Sequence, residues 1–122
     1  DLVAKALYTK WPSVRENYLS IHEECMELGD IQVVDVEQGL KVVNCFTQGD
    51  YGSDGRVYAD SRSIRLCLVR VVTGRDLLMS VGLEVDIYMP RIGCGLGGLN
   101  WGRSVLPLLE SFDVDFTICD WG

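Results

Sequence analysis

The chain has 122 residues, enough for one domain with a buried core, and its 48% apolar and 24% charged residues match an ordered globular protein rather than a disordered one. No run of about 18 apolar residues is present to span a membrane, and the first residues, DLVAKALYTKWP, lack the charged start and apolar stretch of a secretory signal. A net charge of −7 argues against non-specific nucleic-acid binding, which needs a basic face. The cysteines, odd in number and without a CxxC pattern, fit a reduced, cytoplasmic setting.

Leu2 to Lys10 reads as a short helix, with Val3, Ala6 and Leu7 on its apolar side. Pro12 suits the start of a second helix, in which Val14, Tyr18, Ile21, Cys25 and Leu28 recur at spacings of three and four. Gly29 supplies a stop. Ile31 to Val36 (IQVVDV) and Leu40 to Phe46 (LKVVNCF) are β-branched and apolar, and the Glu37–Gly39 turn between them makes a hairpin. The polar segment 47–58 (TQGDYGSDGRVY) is a loop of functional length. Asp60 or Ser61 caps a third helix carrying Ile64, Cys67, Leu68, Val71, Val72, Leu77, Leu78 and Val81, with a break possible at Gly74.

Val85 to Met89 is a strand ending at Pro90. After a glycine-rich loop, Asn100 or Ser104 caps a last helix with Val105, Leu108 and Leu109, in which Pro107 is either in the first turns or a distortion. Val114 to Cys119 is the last strand. Late alternation of strand and helix indicates an α/β sheet covered on both faces, in which ligands bind beyond the carboxyl ends of strands. The 47–58 and 90–100 loops both follow strands directly.

Cys25, Cys45, Cys67, Cys94 and Cys119 are odd in number and form no CxxC or His–Cys cluster. Three lie inside apolar runs, and all are expected to be small buried hydrophobes, with no metal and no cofactor. His22 on its helix, without an HExxH pattern, is expected on a solvated face, as are Glu23 and Glu24. Asp50 and Asp54 fit turn formation, Trp101 helix–sheet packing, and Trp121 either core or ligand.

The chemistry concentrates in YMPRIGCGLGGLNW, residues 88–101. Four glycines in IGCGLGG let backbone N–H groups turn inward and a phosphate approach without a Cβ in the way. A following helix N-terminus adds free donors and positive partial charge, the local potential an acidic chain needs to hold a phosphate. No GxxxxGK[ST] pattern is present, and the GxGxxG reading of Gly93, Gly95 and Gly98 lacks room for a Rossmann acidic residue. A nucleotide diphosphate ligand is expected, with a loop serving only close packing as the competing reading.

The segment MPRIGCGLGGLNW resembles the signature of macro domains, in particular the branch with terminal ADP-ribose protein glycohydrolase, yeast-type ADP-ribose 1''-phosphate phosphatases and the antitoxin macro domains paired with DNA ADP-ribosyltransferases. AKALYTKWPSV, LGDIQVV and LKVVNCFTQGDYG are similar to the family's first helix, central hairpin and following loop, so the resemblance spans nearly the whole chain. It implies a single macro-like domain over residues 1–122: a three-layer α/β/α fold with a mixed central sheet, lacking the usual N-terminal strands. It also implies ADP-ribose binding. Ile92, Gly93, Cys94, Gly95, Leu96 and Gly97 would wrap the diphosphate and distal ribose, Asn44, Thr47 and Gln48 would lie near that ribose, and Tyr51 would cover the ligand.

The departures set limits. The family's opening strands and first glycine-rich ligand loop have no counterpart here, so either residues precede Asp1 or the adenine side of the site is built differently. Gln48 holds the position of the glycohydrolase lysine and Gly97 that of its aspartate; glutamine forms no lysine adduct and glycine is no base. The expected activity is therefore hydrolysis of an ADP-ribose derivative such as ADP-ribose 1''-phosphate, with catalytic residues unassigned. The alternatives are a non-catalytic reader of ADP-ribose or ADP-ribosylated macromolecules, a de-ADP-ribosylating hydrolase, and an interaction module with a vestigial pocket.

Overall fold

The computed structural model describes residues 2–22, 27–47, 61–90 and 100–119. Elements follow in the expected order: α1 (Leu2–Lys10), α2 (Pro12–His22), β1 (Ile31–Glu37), β2 (Leu40–Cys45), α3 (Ser61–Ser80), β3 (Ile87–Met89), a π turn (Trp101–Val105) running into α4 (Leu106–Glu110), and β4 (Phe116–Ile118). The architecture is mixed α/β.

β1 and β2 form an antiparallel hairpin in which Ile31 faces Cys45 and Val34 faces Val42. Register shifts between Asp35 and Glu37, so Val36 is bulged, and Gly39 closes the turn at φ 76°. Period-two alternation divides the hairpin into two faces. Gln32 and Val34 are buried on the side met by α2, where Val14 is fully covered. Tyr18 of α2 stacks on Phe46 at 5.6 Å between ring centres. At the hairpin tip the Trp11 indole N–H donates to Glu37 Oε1 over 3.1 Å, which pins the α1–α2 joint to the turn.

β3 and β4 pair in parallel, Tyr88 opposite Thr117, and the helical segment 101–110 crosses between them. The core gathers here: Ile64 and Leu68 of α3 meet Met89, Val105 and Leu109, with Trp101, Leu108, Phe112, Phe116 and Ile118 packed around them. Trp101 thus has the packing role expected of it.

Two sequence expectations are refined. Gly74 does not break α3, which runs unbroken through 20 residues. Packing of its first half and the length of the intact ladder outweigh one glycine. The expected apolar stripe of α3 is only partly used: Ile64, Cys67 and Leu68 are buried, whereas Leu77 and Val81 face solvent.

Pro107 explains the irregular last helix. It has no N–H, and in α geometry its ring would crowd the carbonyl four residues back. The chain answers with a wider π turn ahead of it, closed by the Leu106 N–H on the Trp101 carbonyl.

The corner before β1 is tightly fitted. Gly29 has φ +94°, and a Cβ there would stand 2.9 Å from Leu66 Cβ of α3. The Arg70 guanidinium donates to the Gly29 carbonyl and lies 3.4 Å from the Asp30 carboxylate. Gly29→Ala is expected to cost about 1–3 kcal/mol of stability, from left-handed strain and the Leu66 contact, read as a lower urea midpoint. Gly74→Ala is expected to do the opposite, adding up to about 1 kcal/mol in dilute solution, because helix propensity improves and nothing stands within 4 Å of the new methyl.

Candidate functional site

The carboxyl ends of β2 and β3 both abut the first half of α3. At the end of β2, the Cys67 thiol lies 3.4 Å from the Asp30 carbonyl and 4.0 Å from that of Phe46. At the end of β3, Met89 packs with Ile64 and Leu68, one turn or less along the same helix. The ends of β2 and β3 therefore meet neighbouring turns of one helix, although among the described residues the two strands belong to separate two-stranded sheets rather than to one shared sheet.

Of the sequence-nominated ligand residues, Asn44 and Thr47 fall within the described residues. Gln48, Tyr51, Ile92, Gly93, Cys94, Gly95, Leu96 and Gly97 lie outside them, as do Cys25, Asp50, Asp54, Trp121 and the side chain of His22. What the structure does give is the frame on either side of the glycine loop. β3 leads in through Met89 and Pro90, and β4 runs parallel beside it, the Cys119 N–H extending the ladder to the Met89 carbonyl at 2.8 Å. Asn100 leads out: it is extended (φ −85°, ψ 120°), and its side-chain oxygen accepts from the Arg103 N–H at 3.1 Å. Asn100, rather than Ser104, is the N-cap, and the Ser104 N–H instead donates to the Asn100 carbonyl.

Asn44 sits in a polar network on the α2 side of the hairpin. Its amide N–H donates to Gln32 Oε1 at 3.0 Å, and the Gln32 amide donates in turn to the Asn17 carbonyl of α2 at 2.8 Å. Gln32 is 7% exposed and spans the interface between helix and hairpin. It was not singled out in the sequence, although its parity with Val34 places a polar side chain on a buried face, a signal that requires a partner. Thr47 is half-buried, two residues beyond the end of β2.

Cys45 and Cys67 are free thiols in contact, a pairing that apolar context alone does not reveal. The Cys45 thiol holds Cys67 below the usual thiol range, with the Phe46 backbone and Arg70 acting in the same sense and burial and Asp30 opposing. Cys45 itself is driven far above that range by the bond to Cys67, by burial and by the charge on Cys67. Of the two thiols, Cys67 is the one whose deprotonation the contact favours. Cys67 is fully covered, which suits packing rather than attack on a ligand. Among the described residues no group of three His, Cys, Asp or Glu side chains could hold a metal ion, and no helix is long and apolar enough to cross a membrane.

Comparison with known proteins bears on the fold. One solved structure, of a Bacteroides thetaiotaomicron protein described as being of unknown function, aligns with a TM-score of 0.76 at 30% identity over 95% of this chain and 75% of that one. The chain belongs to the same family as that protein. A second solved structure, an X-ray structure of a protein from the same organism, aligns with a TM-score of 0.72 at 30% identity over 93% of this chain and 74% of that one. No family model matches the chain, and no curated protein does.

The amide network is open to measurement. Asn44→Ala removes one hydrogen bond and takes from the Gln32 oxygen the donor it has across the hairpin, for an expected loss of about 1 kcal/mol in urea unfolding. Combined with Gln32→Ala it should cost less than the sum of the two single losses; strict additivity would mean the two amides do not support each other.

Proposed function

We propose that the protein is a macro-type domain, with helices on both faces of a mixed sheet, that binds ADP-ribose through the loop between β3 and α4 and hydrolyses ADP-ribose 1''-phosphate or a close derivative. The observation that carries this reading is the glycine loop in its frame. IGCGLGG follows the carboxyl end of a strand paired in parallel with β4, and precedes a helical segment capped by Asn100. Backbone N–H groups freed by glycines, at the end of a parallel strand, are suited to a diphosphate. They also supply the positive potential that a chain of net charge −7 otherwise lacks.

Chemistry in such a site would rest on positioning the substrate and a water molecule. Gln48 and Gly97 offer neither the amine nor the carboxylate of the lysine-dependent glycohydrolases, and these same two residues favour the second reading, a non-catalytic ADP-ribose reader.

Calorimetric titration with ADP-ribose is expected to give saturable heat, and Gly95→Glu is expected to abolish it by placing a carboxylate in the loop. No heat from the folded chain at millimolar ligand removes the binding claim, and retained affinity in the variant moves the ligand elsewhere. Phosphate release from ADP-ribose 1''-phosphate separates the enzyme from the reader: binding without release leaves the reader.

A further inference from the structure

Side chains alternate between the two faces of the hairpin. Gln32 and Asn44 are joined amide to amide and turn toward α2. Cys45, the next residue and the last of β2, therefore turns to the opposite face, where α3 packs. Cys67 reaches the same place from the buried side of α3. Its sulfur lies 3.4 Å from the Asp30 carbonyl and 4.0 Å from that of Phe46. These two residues stand one step along the ladder from the Ile31–Cys45 pair, and the Phe46 N–H donates to the Asp30 carbonyl at 3.0 Å.

The two sulfurs thus meet at the open end of the hairpin, in hydrogen-bond contact, and both are free thiols. One small apolar side chain would be enough to fill that space. Two touching thiols, one on a strand and one on a helix, add a chemistry that packing does not call for. Their cover is unequal: Cys67 is fully buried, whereas Cys45 is half-buried.

We propose that Cys45 and Cys67 are a reversible cross-linking site, oxidised to a disulfide by a small peroxide and reopened by thiols. The half-buried Cys45 sulfur attacks a peroxide oxygen. The O–O bond breaks, the thiol proton leaves with the displaced hydroxide as water, and Cys45 becomes a sulfenic acid. The Cys67 sulfur then attacks Cys45. The S–O bond breaks, the oxygen leaves as a second water with the Cys67 proton, and the S–S bond forms. Two electrons pass from the thiols to the peroxide. Cys67 suits the second step, because the Cys45 contact holds its thiol below the usual range. The product ties the end of β2 covalently to α3.

Peptide mapping after hydrogen peroxide treatment of the folded chain tests this. Trypsin places Cys45 in peptide 42–56 and Cys67 in peptide 66–70, each with no other cysteine. Alkylation before unfolding and digestion should give these two peptides joined, at their summed mass less two hydrogens, and dithiothreitol should separate them. In urea the same treatment should pair them with other cysteines as well. Cys67→Ser removes the resolving thiol, so dimedone should then label peptide 42–56. The proposal is overturned if both peptides from the peroxide-treated folded wild-type chain carry alkylated thiols. It is also overturned if the joined pair is no more frequent from the folded chain than from urea, since the contact then directs nothing.

Discussion

Ile64, Cys67 and Leu68 form the contact on which the other elements depend. These three neighbours on α3 are the place where the two strand pairs meet a common support. Cys67 sits over the carbonyls of Asp30 and Phe46 at the open end of the hairpin, and Ile64 and Leu68 close on Met89, Val105 and Leu109 beside β3. Neither strand pair would be stable alone: a two-stranded ribbon in water is marginal, and three-residue strands are shorter still. Burial against one helix gives each pair its hydrophobic backing and sets the distance between the ends of β2 and β3.

The sequence made the elements legible wherever a local rule governs them. The extent of α1, the start of α2 at Pro12, the hairpin with its glycine turn and the strand ended by Pro90 all follow from propensity, periodicity and punctuation. The parts that escaped are decided by tertiary context. Gly74 carries a local penalty that a packed, 20-residue helix absorbs. Leu77 and Val81 fit a helical apolar pattern whether they face the core or solvent, so periodicity cannot say which. The contact of Cys45 with Cys67, and the Gln32 bridge from Asn44 to α2, join residues far apart in the chain, and no local pattern encodes such a pairing.

For the candidate site the division is similar. The residue types in IGCGLGG carry the expectation of a phosphate, with close packing as the competing reading. The frame confirms the flanks, with β3 on one side and the Asn100 cap on the other. The amide of Asn44 was assigned by resemblance to the ligand, and in the structure it meets Gln32. A residue so placed can serve the site by fixing the end of β2, whether or not it also meets a ligand.

The corner clamped by Arg70 has a consequence for how helix and hairpin are held together. The bond from its guanidinium to the Gly29 carbonyl joins residues 41 apart. Closing so long a loop costs chain entropy that a single hydrogen bond does not recover. The contacts inside the hairpin and inside α3 join near neighbours, whereas the clamp gains its energy only where both surfaces are joined. Gly29 and Arg70 thus act as a latch that holds the helix and the hairpin in one mutual orientation once the two surfaces have met.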